Sequence, residues 1–195
     1  MKIKIESLLT AKTLISYGFR PQQVKDLTGV NAQRISALTQ ELRDDSIVIA
    51  NKGALSANKI LRTKLLYRQF SLWMIIYKQL LQAEYDFQRI EELSPWYSNL
   101  DSNLLIKTHI LFSRILENDF DITLEQNNLI TLAECFSILK EINLKTDTYL
   151  VRCKDCGIHY VIIESSKQTD NCPFCHERGF ELERVRTETI IANII

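Results

Sequence analysis

Cys153-Lys154-Asp155-Cys156 is followed, after fifteen residues, by Cys172-Pro173-Phe174-Cys175. Two C-x2-C pairs at this spacing have the pattern of a four-thiolate zinc site. The reason is geometric. Two cysteines three apart on a tight turn present both sulfurs to one ion, and a second such turn closes a tetrahedron with Zn–S bonds of about 2.3 Å. Gly157 directly follows the first pair and suits the positive φ such turns need, while Pro173 pre-sets φ in the second. With all four positions filled by protein, none is left for water, so the ion is structural rather than catalytic. Two redox C-x-x-C pairs, or a four-sulfur iron site of the same geometry, are the alternatives; spacing and ligand softness favour zinc. His159 and His176 lie close by, but four cysteines leave no need for them.

Around these pairs the sequence changes character. Tyr149-Leu150-Val151, His159-Tyr160-Val161-Ile162-Ile163 and the alternating Phe180-Glu181-Leu182-Glu183-Arg184-Val185 are three strand candidates in a chain that otherwise reads as helical. A boundary near residue 147 follows, with residues 148–195 forming a small β domain of zinc-ribbon type plus a C-terminal tail. That segment holds little apolar mass of its own. A structural zinc, contributing roughly 10–16 kcal/mol of apparent free energy in small peptides, supplies what the core cannot.

Upstream, residues 1–45 read as three short helices. Ser7 to Ser16 is amphipathic, Arg20-Pro21 opens a second segment with Pro in the first turn, and Asn31 is a good N-cap for a third helix running to about Arg43. The stretch Val24 to Leu38 has helix-turn-helix spacing, with Val24, Val30, Ile35 and Leu38 at apolar positions and Gly29 at the turn. Lys25 stands where a small residue is expected at the helix crossing. An ordinary helical hairpin is the alternative. At 100° per residue Ile35, Leu38 and Leu42 point inward, leaving Gln33, Ala37 and Gln40 outward with Ser36 beside them and Arg34 and Arg43 on the flanks. In a helix lying in the major groove, Gln33 would pair with adenine, a bidentate contact worth about 1–3 kcal/mol of discrimination. The flanking arginines would meet phosphates.

Residues 46–147 read as a helical core and subunit-interaction region. Asn51-Lys52-Gly53 and Ser56-Ala57-Asn58 mark a loop. A long apolar helix follows over 61–90, with its Leu65–Leu81 stretch a candidate partner surface. Ser94-Pro95 opens another helix, and Leu104–Leu116 and Leu129–Ile142 are further ones, with Thr123-Leu124-Glu125-Gln126 as a capping-box pattern before the last. Cys135 falls inside an apolar helix and reads as a buried hydrophobe.

Charge adds a second pattern. The 195 residues hold 24 Lys+Arg and 24 Asp+Glu, yet residues 1–90 carry 14 cations against 7 anions and residues 91–148 carry 4 against 10. Between Asp45 and Glu84 there is no acidic residue, while Lys52, Lys59, Arg62, Lys64, Arg68 and Lys78 fall there. A cationic half beside an acidic middle suggests an anion-binding face next to a region with another task; a merely solvated basic surface is the alternative. Lys52, Lys59, Arg62 and Lys64 would add phosphate contacts that position without specifying. No apolar run is long enough to span a membrane, and Met1-Lys2-Ile3-Lys4-Ile5-Glu6 lacks the pattern of a signal peptide, so the expectation is a cytoplasmic chain with no membrane partner. No catalysis is expected: the clustered thiols leave no open coordination position, and no nucleophile motif surrounds His109, His159 or His176.

The ordered combination resembles the FlhC family, the C subunits of the bacterial flagellar master activator and related activators of conjugative transfer genes. The residues that carry the resemblance are the helix-turn-helix, Leu14-Ile15-Ser16-Tyr17-Gly18-Phe19-Arg20, Gln40-Glu41-Leu42-Arg43, the Lys52-Gly53-Ala54-Leu55 loop, the apolar aromatic helix and the four cysteines. These residue patterns predict a mainly α fold, a helix-turn-helix and helical core with a small C-terminal β domain of zinc-ribbon type. The resemblance implies a hetero-oligomer with a smaller FlhD-like helical subunit, four of those to two of these in the flagellar case, that binds promoter DNA and recruits RNA polymerase. The family's zinc ligands correspond to Cys153, Cys156, Cys172 and Cys175. A zinc-ribbon interaction adaptor without DNA contact is the competing expectation.

Overall fold

Helices dominate the computed structural model, which describes residues 4–49, 56–84, 100–120, 129–144, 147–166 and 171–175. Among the described residues seven helices precede a single two-stranded hairpin: α1 (Ile5–Ser16), α2 (Pro21–Thr28), α3 (Ala32–Asp44), α4 (Ala57–Ile60), α5 (Lys64–Glu84), α6 (Ser102–Phe120), α7 (Leu132–Leu144), β1 (Thr148–Arg152) and β2 (His159–Ile163). The fold is mainly α with a small β element near the C-terminus, as the sequence implies.

The helix ends are set by local chemistry. At the end of α1, Gly18 N–H reaches the Ile15 carbonyl at 2.9 Å and Phe19 N–H the Leu14 carbonyl at 3.1 Å. This pair of bonds is a Schellman close, and it drops Phe19 into the core against Phe136. α2 begins with Pro21 and stops at Gly29, whose φ of 70° a side chain would resist. Asn31 then caps α3 by accepting the Arg34 N–H at 2.8 Å. Val24, Val30, Ile35, Leu38 and Leu42 are all buried. Lys25 is exposed rather than placed between the helices, so its size does not hold α2 and α3 apart.

Two expectations shift in the middle of the chain. The stretch read as a loop contains α4, a single turn with Ala57 and Ile60 buried, anchored where Glu141 accepts the Ala57 N–H at 3.0 Å. The helix at 132 starts from a capping box at Thr131 and Glu134: the Thr131 N–H goes to the Glu134 carboxylate at 2.9 Å, and the Glu134 N–H to the Thr131 hydroxyl at 3.2 Å. The Thr123–Gln126 pattern, the Ser94-Pro95 helix start, the Lys52-Gly53-Ala54-Leu55 loop and the Phe180–Val185 strand lie outside the described residues.

One hydrophobic cluster runs from Leu14 on α1 through Phe70, Trp73 and Tyr77 on α5 and Leu139 on α7 to Val161 and Ile163 on β2. It crosses both of the boundaries drawn from sequence. Most of the apolar girth of α5 is used within this chain, Leu65 remaining exposed. α7 is the hub. Ser137 and Lys140 meet Gln23 and Asp26 of α2, while Glu141 meets Ala57 and Thr148. No helix among the described residues is long and apolar enough to cross a membrane.

Candidate metal centre

The hairpin carries the first cysteine pair at its tip. β1 and β2 pair antiparallel, with Thr148 opposite Ile163 and Arg152 opposite His159. Between them Cys153–Gly157 forms a tight knuckle, in which Cys153 N–H donates to the Ile158 carbonyl at 2.8 Å and Gly157 N–H to the Cys153 carbonyl at 3.0 Å. Gly157 has a φ of 73°, the left-handed value expected of the residue after the pair. Arg152 braces the knuckle by donating its Nε to the Gly157 carbonyl at 3.2 Å.

The second pair comes to the same point. Cys153 Sγ lies 3.7 Å from Cys175 Sγ, and Cys156 Sγ lies 3.7 Å from Cys172 Sγ. All four sulfurs fall within 4.8 Å of one another, and they are the one such metal-capable group among the described residues. A tetrahedron with Zn–S bonds of about 2.3 Å has sulfur–sulfur edges of roughly 3.8 Å, so both close pairs already stand at the edge length a tetrahedral ion demands. Each close contact also joins one knuckle to the other. Disulfides within each C-x-x-C would need sulfurs about 2.05 Å apart on the same knuckle, and all four thiols are free. The arrangement is one that could hold a metal ion, a candidate cage.

The local electrostatics differ from one thiol to the next, and burial pushes the Cys175 thiol well up. Backbone N–H groups at Cys156 and Asp155 pull the Cys153 thiol down to about 7, whereas burial pushes the Cys172 thiol up. Cys153 and Cys172 are buried and Cys156 and Cys175 exposed, so the ion would sit at the rim of the fold with two ligands inside. His159 is not part of the cage. Burial, helped by Lys78 and Arg152 nearby, lowers its pKa to about 4 and keeps it neutral. His176 lies outside the described residues. Cys135 is fully buried on α7, where burial pushes its thiol well up, as expected of a core residue.

The candidate DNA-contacting residues fall into two groups. Gln33, Arg34, Ser36, Gln40 and Arg43 are all exposed on α3. Their surface is not purely cationic: Arg34 Nη1 lies 3.5 Å from Glu41, and Gln40 donates to Asp44 at 2.8 Å. Lys59, Arg62 and Lys64 are exposed around α4 and the start of α5, and Lys52 lies outside the described residues. Sequence reading missed Arg152 and Tyr67, which touch the cage's supporting backbone. An arginine directly before a cysteine knuckle is a usable signal for the first, but the second is distant in sequence and gave none. No protein-family model matches the chain, and no curated protein sequence matches it either.

Proposed function

We propose that this chain is the DNA-binding subunit of an FlhC-like transcriptional activator, acting in a hetero-oligomer with an FlhD-like helical partner to bind promoter DNA and recruit RNA polymerase. Its target genes are those of motility or conjugative transfer. Its four cysteines hold one structural Zn2+ that fixes the hairpin. The observation carrying the reading is the unit α2–Gly29–α3, whose outer helix buries Ile35, Leu38 and Leu42 while exposing Gln33, Ser36 and Gln40 along two turns of the other side. The exposed cations Lys59, Arg62 and Lys64 support it as phosphate contacts.

Promoter binding measured over a salt series, with and without the partner, tests this reading. Affinity falling steeply with salt is expected, because each neutralised phosphate releases counterions. Binding that ignores salt, or none in either state, refutes it. Elemental analysis of the purified chain separates zinc from iron.

One observation favours an interaction adaptor instead. The hairpin face bearing Tyr149, Val151 and Ile162 is only partly covered, and a shallow groove lined by Val151, Tyr160 and Ile162 together with Arg152, Lys154 and Asp155 opens onto Cys153 and Cys172. In that case Gln33→Ala and Lys64→Glu leave promoter activity intact while cysteine substitutions abolish it.

A further inference from the structure

Tyr67 is 98% buried on α5, yet its hydroxyl lies 3.1 Å from two backbone carbonyls, those of Val161 and Asn171. The two acceptors belong to different halves of the metal cage. Val161 is on β2, the strand that leaves the first knuckle, and Asn171 immediately precedes Cys172 of the second.

The register explains why the Val161 carbonyl is available. Glu164 N–H donates to the Asp147 carbonyl at 2.9 Å and Cys153 N–H to the Ile158 carbonyl at 2.8 Å, so bonded pairs of the ladder alternate between these two ends. Leu150 opposite Val161 is then one of the intervening non-bonded pairs, whose carbonyls point away from the partner strand. The Val161 carbonyl therefore faces the open edge of β2, the side along which α5 packs. A single phenolic proton serves both it and the Asn171 carbonyl in a three-centre bond.

We propose that Tyr67 is a positioning residue for the metal cage: its hydroxyl ties the second cysteine knuckle to the open edge of β2 and so couples metal affinity to the helical core. An ion held by four thiolates needs the two knuckles at a fixed separation, and the ordering cost of bringing them together is borne by whatever holds them before the ion arrives. The hairpin fixes the first knuckle. The Tyr67 hydroxyl is bonded to the backbone entering the second. Because coupling is reciprocal, the ion in turn stabilises the docking of α5 on the hairpin. This inference rests on reading the four cysteines as a metal site, and is independent of whether the chain binds DNA.

The test compares wild type, Tyr67→Phe and Ser71→Ala in the full chain. Tyr67→Phe removes one oxygen and keeps the ring. Ser71→Ala deletes another buried hydroxyl one turn along α5, whose bond at 2.9 Å runs to the Tyr67 carbonyl within its own helix. Zinc affinity is read by competition with a chromophoric chelator, and Co2+ titration reads the tetrahedral four-sulfur absorption directly. Tyr67→Phe is expected to weaken both metals about tenfold, the usual scale for losing a supporting hydrogen bond, with the tetrahedral bands still reached at saturation. Ser71→Ala is expected to leave both affinities at the wild-type value. Equal affinities for wild type and Tyr67→Phe, or an equal loss in Ser71→Ala, would overturn the proposal. A wild-type chain that bound neither metal would overturn the metal reading and this inference together.

Discussion

Gln23 and Ser137, 114 residues apart, meet in the core: the Gln23 amide nitrogen donates to the Ser137 hydroxyl at 3.2 Å. The other end of the same amide accepts the Arg20 N–H at 2.9 Å and closes the start of α2. Ser137 in turn donates to the Ala133 carbonyl at 2.8 Å, so its oxygen is left to accept and the orientation of the amide is fixed. With both residues buried, this contact sets the N-terminal three helices on α7.

Ser137→Ala leaves the Gln23 amide nitrogen buried without its acceptor. The expected cost is about 1–3 kcal/mol of unfolding free energy, read as a lowered urea midpoint at unchanged slope. Gln23→Ala also loses the cap on α2. The double variant should lose less than the sum of the singles, since one shared bond is counted in both. Strict additivity would mean that the contact contributes nothing.

The turn between α2 and α3 offers a second test. A Cβ at Gly29 would meet nothing within 4 Å, so Gly29→Ala brings no clash; the cost is that of a left-handed φ at 70°. Thermal unfolding should show a loss of about 1 kcal/mol for Gly29→Ala and a smaller loss for Gly29→Asn, because Asn tolerates that region better. Asn31→Ala should cost a similar ~1 kcal/mol by freeing the Arg34 N–H. If α3 reads DNA, each of these changes also weakens promoter binding without altering its salt slope, as no phosphate contact is removed.

How far these features could be read in the sequence depended on range. The inward face of α3, the Asn31 cap and the four-thiol spacing are local patterns, and periodicity or spacing is enough to find them. Thr131 and Glu134 are local too, and a capping box could have been read there. Tyr67 is different: its partners lie 94 and 104 positions away, and nothing in an apolar aromatic helix distinguishes it from Tyr77 or Trp73. α4 forms in a stretch rich in turn residues because Glu141, 84 positions on, holds its first N–H. Tertiary bonds there override local propensity, and no window of sequence contains them.

If the four thiols hold an ion, removing it should act on the hairpin before the helices. Val161 and Ile163 belong to the common hydrophobic cluster, whereas the knuckles are held by backbone bonds, by Arg152 and by Tyr67. Cys172→Ser or treatment with a strong chelator is expected to expose the amides of residues 148–163 to hydrogen exchange while most helical ellipticity remains. Metal affinity should also fall as pH falls, since binding requires four thiolates and acid returns their protons. Protection of the hairpin that survives full metal removal would show that the helical core alone suffices to fold it.

His109 makes the acid limb of the stability curve predictable. It sits on α6, 5.5 Å from the edge-on ring of Tyr17 and 5.9 Å from Phe112, and its Nδ1 has no hydrogen-bond partner among the described residues. Burial lowers its pKa from 6.5 to about 4, so the folded chain keeps it neutral where the unfolded chain protonates it. The sign follows directly. Between pH 6.5 and about 4 the unfolded state binds more protons, so stability drops as pH falls through that window and is unaffected by this group above it. The slope from one such histidine is at most about 1.4 kcal/mol per pH unit. His109→Leu, which keeps the site filled without a titrating group, should flatten the pH dependence of the urea-derived unfolding free energy between pH 6.5 and 4 by up to that slope, while leaving His159's own contribution in place. A wild-type acid slope unchanged in the variant would mean that His109 is protonated equally in both states, and that its burial is relieved before acid reaches it.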